Sequence, residues 1–477
     1  MQLFAILILG AILRLYHNIS VALWHDEAFS ALYIRYPWGE MLGRIIADVH
    51  PPLYYFILRF WSYIFGQSLL SLRGLSILFG IATIWMGFVL FKQIFSNKKW
   101  ALLAALLIAI NPFQIQYALE ARMYTLGTFL SLVTCYLLLK ALENDQRKYW
   151  VWYGITAALT LYTHYFLFFT VAAQVIYIIY VWFKKRISLK NPLLSGIIVA
   201  AMYAPWLPSF LVQNRRVSEA YWIPEMDRWA IPGTVWKMIF GGQNVSRPLL
   251  ILTTLACIAL LIYFWRKTKS ETKFLILFSL LVPFLGSILI SLKTSIYLDR
   301  YFVFAGLFLI AAIAAALMQV PNYSVRRILA AVLVILSLAM FFKNWKELNI
   351  KNKPGMAAAS RIINEQATKD DKIYVGSSFI FFTFRYYNET GIKPLLYSSG
   401  SLETIPHFSG TALLTNDDLI LDFKQAEKND RVWLLWTTGF GASKPNVPGN
   451  WSIVSEHEFQ DTPDFKGKIV VTEYHVN

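Results

Sequence analysis

Long apolar runs broken by short polar stretches set the pattern of this chain. A run of about 18 or more apolar residues is long enough to cross a bilayer. The pattern predicts eleven candidate spans, at roughly 2–16, 72–91, 100–117, 122–142, 149–163, 165–183, 193–212, 248–265, 274–292, 301–319 and 328–342. Those at 2–16, 149–163 and 328–342 are the short ones. The first has the length of a signal sequence, but no clear small-residue cleavage site follows it, so it is read as a span.

Two stretches break the pattern. Residues 17–71 form a loop of 55 residues, and loops beyond about 12–15 residues in a compact fold are usually functional or disordered; the aromatic content here argues for the former. Within it, residues 52–65 are apolar and helix-like. Fourteen residues rise only about 21 Å, short of the roughly 30 Å hydrocarbon core, so this segment is expected to lie at the outer interface. The second break comes after residue 342. A basic linker over 343–354 leads to a helix-like segment at 355–367, then a strand at Lys372–Val375 and a helix at 379–387. Strand-like runs follow at 431–436, 451–455 and 467–474. Strands alternating with helices imply a small α/β domain. The expected fold is a mostly α polytopic membrane protein of about eleven transmembrane helices, with interfacial helices in the first outer loop and a C-terminal soluble α/β domain. The expected domains are 1–342 and 343–477.

Composition agrees: 57% of residues are hydrophobic, 15% charged, and mean hydropathy is +0.48, against about 25% charged residues in ordinary soluble domains. The net charge of +16 is unevenly spread. Residues 343–477 hold 15 Lys/Arg against 16 Asp/Glu, while the short loops 92–99, 143–148, 184–190, 266–273 and 320–327 hold 15 Lys/Arg and 3 acids. The alternate loops hold 11 Lys/Arg and 9 acids. The positive-inside rule makes the basic set cytoplasmic and puts the 17–71 loop and the C-terminal domain outside, in the cell (plasma) membrane. A nucleic-acid partner would need a basic stripe on one folded face, and the chain has none. Cys135 and Cys257 both fall in spans, so no disulfide framework is implied.

The candidate chemistry lies in the outer loops. The first contains Leu23-Trp24-His25-Asp26-Glu27-Ala28-Phe29-Ser30 and Asp48-Val49-His50-Pro51-Pro52-Leu53-Tyr54-Tyr55. Glu120-Ala121-Arg122-Met123-Tyr124, His164-Tyr165 and Lys293 to Tyr301 supply further acids, cations and aromatics. Charges near a membrane tend to pair or to serve a substrate pathway. Carboxylates, cations and aromatic rings above an apolar bundle suit a ligand with a lipid tail, an anionic phosphate and a sugar. Arg122, Lys293 and Arg300 are the expected phosphate partners, and Asp26 the expected general base. Arg14, near the outer end of the first span, is read as snorkelling. Asp370-Asp371 and Asp417-Asp418 are read as turn and cap residues. The aromatic loop at 213–247 (Tyr221, Trp222, Trp229, Trp236) is read as an interfacial belt or a cover over the site.

Trp24-His25-Asp26-Glu27-Ala28, Asp48-Val49-His50-Pro51-Pro52-Leu53-Tyr54 and Glu120-Ala121-Arg122-Met123-Tyr124, in this order and topology, resemble the GT-C glycosyltransferases. The similarity is strongest to the branch holding the protein O-mannosyltransferases and the lipid A aminoarabinose transferase. It implies an inverting transfer from a polyprenyl-phosphate sugar donor to a lipid, glycan or protein acceptor on the non-cytoplasmic face. Asp26 would be the catalytic base, with Glu27 and Asp48 supporting the acceptor or a divalent metal. The remaining binding candidates are His50, Glu120, Arg122, Tyr124, His164, Tyr165, Lys293, Arg300 and Tyr301. Protein mannosyltransferases typically continue His-Pro-Pro with Leu-Gly-Lys; here Leu53-Tyr54-Tyr55 follows, which leaves sugar and acceptor open. A transporter or flippase of lipid-linked sugars is the alternative. The acids gather at one face rather than at the midplane, and no inverted repeat appears, which favours the enzyme.

Overall fold

The computed structural model describes residues 1–16, 18–219, 222–242, 245–348, 355–398, 400–439, 441–461 and 467–477. Residues 349–354 of the expected linker and Tyr221 of the aromatic loop lie outside the described residues. In chain order the first helices are α1 (Gln2–Leu15), α2 (His25–Tyr33), α3 (Trp38–Ala47), α4 (Leu53–Phe65), α5 (Leu69–Phe95), α6 (Lys98–Ile110) and α7 (Pro112–Ala118). There follow α8 (Tyr124–Asn144), α9 (Arg147–Leu161), α10 (Leu167–Lys185), α11 (Lys190–Tyr203), α12 (Leu207–Glu219) and α13 (Ala230–Phe240). The last are α14 (Arg247–Lys267), α15 (Lys273–Ser291), α16 (Val303–Met318), α17 (Tyr323–Leu348), α18 (Gly355–Gln366) and α19 (Ser378–Tyr387).

Eight helical segments among the described residues are long and apolar enough to cross a membrane, or nine if the bent pair α6–α7 counts as one span. The other two expected spans appear as α1 and α9, helices of 14 and 15 residues. This is an integral, multi-pass membrane protein.

The expected span at 100–117 is broken by 57° between α6 and α7. Pro112 has no N–H to continue the helix and disfavours helical geometry in the residue before it. Asn111 accordingly sits at φ −66°, ψ 119° and caps α7, its Oδ1 accepting from the Gln114 N–H at 2.9 Å. Its Nδ2 donates to the carbonyls of Met238 at 3.0 Å and Ile239 at 3.2 Å, tying the break to α13.

By contacts the chain forms two compact units. The first comprises Met1–Tyr16, His50–Ile57 and Arg73–Asn344. Its centre is α16, which packs against α6, α8, α14 and α15. In the span ending with α16, 89% of the most apolar window is buried, against 17% for α14 and 11% for the span of α17. Alanines at 311, 312 and 314–316 let neighbours approach closely, as small residues do between membrane helices. Gly127 of α8 serves the same end, since a Cβ there would lie 2.5 Å from the Phe304 ring. Exposed Leu252, Leu255 and Ile262 on α14 and Ile328 and Ile335 on α17 give these helices the apolar outer surface that lipid requires. Arg14 corrects the snorkelling expectation. It is buried, donating to the carbonyls of Gly10 and Ala109 through Nη1 and of Ile108 through Nη2, so it joins α1 to α6.

The second unit comprises His17–Val49, Leu58–Leu72 and Trp345–Asn477. Its sheet is built from β1 (Lys372–Val375), β2 (Leu395–Tyr397), β3 (Leu419–Ile420), β4 (Arg431–Thr437), β5 (Trp451–Gln460) and β6 (Lys468–Val476), in the order β3-β2-β1-β4-β6-β5. β1 pairs in parallel with β2 and β4, and β2 with β3; β6 runs antiparallel to β4 and β5. Tyr374, Val432, Leu434, Trp451 and Tyr474 form part of its apolar core. α2 packs on α19 in this unit, where His25 and Phe29 meet Phe382 at ring distances of 5.9 and 4.9 Å. Asp371 accepts from Thr368 and Trp433, and Asp418 from Thr415, so both act as local caps as expected.

Candidate active site

In the first unit the chain turns at Pro51 and Pro52 and starts α4, whose opening is pinned by the Leu53 N–H donating to the Tyr162 carbonyl at 3.1 Å. This puts His50 beside Arg122, which follows the short turn after α7. The Arg122 Nη2 donates to His50 Nε2 at 2.8 Å, and Nη1 donates to the Tyr55 hydroxyl at 3.3 Å. Ser76 Oγ donates to the Arg122 carbonyl, which fixes the backbone as well.

The protonation of the two histidines follows from their partners. A guanidinium only donates, so His50 Nε2 accepts and its proton is on Nδ1. His164, in the turn between α9 and α10, accepts from the Phe166 N–H through Nδ1 at 3.1 Å. Its proton is therefore on Nε2. That Nε2–H is buried and has no hydrogen-bond partner among the described residues. The His164 ring stands edge-on to Tyr301 at 4.7 Å and lies 6.0 Å from both Tyr124 and His50. Burial, then Arg122 and Arg300, press the His164 pKa down to about 3. Burial, Arg122, His164 and Arg300 likewise hold His50 well below the usual histidine value. Both imidazoles are neutral at physiological pH, set among two guanidiniums.

A second layer holds this cluster. Trp206 Nε1 donates to the Tyr165 hydroxyl at 3.0 Å, Tyr165 donates to Gln213, and Gln213 Nε2 reaches the His50 carbonyl at 3.5 Å. Arg300 lies over the Trp222 ring at 5.7 Å, and neighbouring Asp299 pairs with Lys237. The structure thus brings His50, Arg122, Tyr124, His164, Arg300 and Tyr301 together, with Tyr165 behind them. Glu120, half-buried, gives its carbonyl to the Arg122 N–H at 2.7 Å. Lys293 is exposed on its loop. Tyr55, Trp206, Gln213 and Lys237 were not anticipated as site residues. Tyr55 stands in the His-Pro-Pro segment, and Gln213 and Lys237 fall in the 213–247 loop read as a belt or cover; Trp206 carried no signal.

In the second unit, Asp26 and Glu27 occupy the first turn of α2, where the helix dipole favours carboxylates. Glu27 is buried and its Oε2 accepts from the Trp24 N–H at 3.4 Å; Asp26 is half-buried. His25 Nδ1 donates to the Phe379 carbonyl at 3.1 Å within its aromatic setting. Asp48 ends α3 as its C-cap. Among the described residues no group of three or more His, Cys, Asp or Glu side chains is placed to hold a metal ion.

Residues 49–208 match the family model of the dolichyl-phosphate-mannose-protein mannosyltransferases. That segment contains His50, Glu120, Arg122, Tyr124, His164 and Tyr165, and excludes Asp26, Glu27, Asp48, Lys293, Arg300 and Tyr301. A comparison with curated proteins finds no match. The structure of ArnT from Cupriavidus metallidurans bound to undecaprenyl phosphate superposes with a TM-score of 0.64 at 13% identity, covering 98% of this chain and 97% of that one. The chain shares the fold of that ArnT over nearly its whole length. The apo state of the same ArnT gives 0.61 at 12% identity over the same shares. The oligosaccharyltransferase of Archaeoglobus fulgidus, in a complex with Zn and sulfate, gives 0.54 at 13% identity, covering 83% of this chain and 62% of that one.

Proposed function

We propose that the chain moves a sugar from a polyprenyl-phosphate donor to an acceptor hydroxyl, with inversion, on the outer face of the membrane. The observation that carries this reading is the cluster of buried Arg122 and His164 with half-buried Arg300. Two guanidiniums and one inward imidazole N–H gather at the end of an apolar bundle, and a lipid-linked phosphate offers the anion and the tail to match. The matched family model and the ArnT complex with undecaprenyl phosphate support the same donor class. Arg122 and Arg300 neutralise the donor phosphate, and His164 Nε2–H donates to one of its oxygens. Neutral His50, accepting from Arg122, keeps that guanidinium oriented without adding a competing anion. Lys293, exposed on its loop, is left out of this assignment.

Asp26 is the general base of the reading. Its carboxylate takes the proton of the acceptor hydroxyl as the oxygen attacks the anomeric carbon from the face opposite the phosphate. The bond from anomeric carbon to phosphate oxygen breaks and polyprenyl phosphate leaves with the electron pair. A phosphate stabilised by cations needs no general acid, so one carboxylate suffices. Glu27 and Asp48 are assigned to support of the acceptor beside it.

Asp26→Asn tests this, because it keeps shape and removes the basic oxygen. Transfer in the purified protein should fall at least about a hundredfold, the lower range for a positioned base, with donor binding unchanged. Near wild-type turnover in this variant would remove Asp26 from the mechanism.

A further inference from the structure

The second unit contains a cavity of about 300 Å³ that the reaction above does not use. Leu32, Arg35, Arg385, Asn388 and Lys393 are among its lining residues. Leu32 belongs to α2 and Arg35 follows that helix, Arg385 lies in the last turn of α19, and Lys393 stands just ahead of β2. Three cations face one small space, and the carboxylate associated with two of them is Asp418. Lys393 Nζ is 3.3 Å from Asp418 Oδ1, while Arg385 Nη1 is 4.0 Å from Oδ2. Burial acts to raise the Asp418 pKa, but hydrogen bonds from the Thr415 hydroxyl and N–H, with Arg385 and Lys393, hold it below the usual range. Three positive groups against one carboxylate leave an excess of two charges. Arg385 Nη1 is buried with no hydrogen bond among the described residues, its carboxylate neighbour being too distant for one. Arg35 is exposed at the rim and lies 5.4 Å over the Tyr386 ring.

A small space with surplus guanidinium and ammonium charge is suited to an oxyanion, which arginine binds through paired hydrogen bonds. About 300 Å³ is the lower end of ligand-pocket volumes, enough for one charged group with part of a sugar. We propose that this cavity is an anion subsite for the acceptor, taking a phosphate or carboxylate group carried by an acceptor glycan. The inference rests on the reading of Asp26 as base. Asp26 is at the start of α2 and Arg35 just past its end, nine positions on (35 − 26), which at helical rise is roughly 13 Å. A hydroxyl at Asp26 and an anionic group at Arg35 would then belong to one acceptor of more than a single sugar. The donor phosphate has its own cations in the other unit, so the two anions do not compete.

The arginine reagent phenylglyoxal, applied to the purified full chain and read peptide by peptide by mass spectrometry, tests the subsite without depending on transfer. Inorganic phosphate, glucose 6-phosphate and glucuronate should slow modification of Arg35, about tenfold at about nine times the dissociation constant, since the free fraction falls as 1/(1 + [L]/Kd). Neutral glucose and phosphatidylglycerol vesicles should not. The protection should disappear in Arg385→Gln and weaken in Lys393→Gln, and should persist in Arg122→Gln and Asp26→Asn. If no soluble anion protects Arg35, or if protection survives both Arg385→Gln and Lys393→Gln, there is no such subsite. Protection by phosphatidylglycerol vesicles alone would assign the cavity to a lipid headgroup and overturn the acceptor assignment. Full transfer by Asp26→Asn would sink the base reading while leaving this protection intact; loss of transfer in Asp26→Asn without any protection would sink the subsite alone.

Discussion

His164 shows how a single hydrogen bond decides what a side chain offers. Because Nδ1 is engaged by the Phe166 N–H, the ring can present only a neutral N–H at Nε2. His164→Gln retains a donor near the Nε2 position and should keep donor affinity close to wild type. His164→Leu should weaken it about ten- to a hundredfold, as a hydrogen bond to a charged group contributes about 1.5–3 kcal/mol. Equal affinity in both variants, measured with a labelled polyprenyl-phosphate analogue, would remove His164 from the phosphate site. With its pKa pressed to about 3, His164 takes up no proton in the folded state between pH 8 and 5, so donor affinity should show no step near 6.5. The unfolded chain does take up that proton below about 6.5. The contribution of His164 to stability is thus present above about pH 6.5 and is lost as pH falls towards 3. The catalytic candidates were legible because acids, histidines and arginines stand out in an apolar chain. Gln213 and Trp206 were not, since Trp206 lies inside an apolar span and Gln213 at its edge, and both matter only through distant partners such as Tyr165.

The break between α6 and α7 is the clearest local device. It exists because Asn111 satisfies both the α7 N-terminus and two carbonyls of α13. Asn111→Ala leaves all three groups unsatisfied in a buried place, and each such group costs about 1–3 kcal/mol. Thermal unfolding in detergent should show a clear drop for Asn111→Ala and a smaller one for Asn111→Ser, which retains only the cap. An unchanged Asn111→Ala would mean that the break is held by Pro112 alone. The long helices were readable from their apolar runs, and β1, α18 and α19 from alternation and length. The break was not, because Asn111-Pro112 falls inside 100–117, whose apolar residues are enough to read as a single span. β2 and β3, of three and two residues, were too short to show a period of two.

For the molecule as a whole, the loop charges predict that the C-terminal sheet lies outside the cytoplasm and the basic loops inside. In a background with Cys135 and Cys257 replaced by alanine, a membrane-impermeant thiol reagent should label Asn450→Cys on intact cells and spare Lys98→Cys, both positions being exposed. Labelling of residue 98 alone would invert the topology. Sequence distance hid one thing entirely: segments near the start of the chain complete the unit that its end builds. His17–Val49 and Leu58–Leu72 share a unit with Trp345–Asn477, separated from it by Arg73–Asn344, or 272 residues (344 − 73 + 1). At about 5–20 residues per second, a ribosome takes roughly 15–55 s to cross that interval. Throughout it, Phe29 waits for Phe382, and the acids of α2 stand on a helix whose seat has not been synthesised. Newly made chains should therefore pass through a state with every membrane helix present and this aromatic surface uncovered. That interval is when a holding chaperone would matter, and when a chain truncated before α19 would be caught by proteolysis.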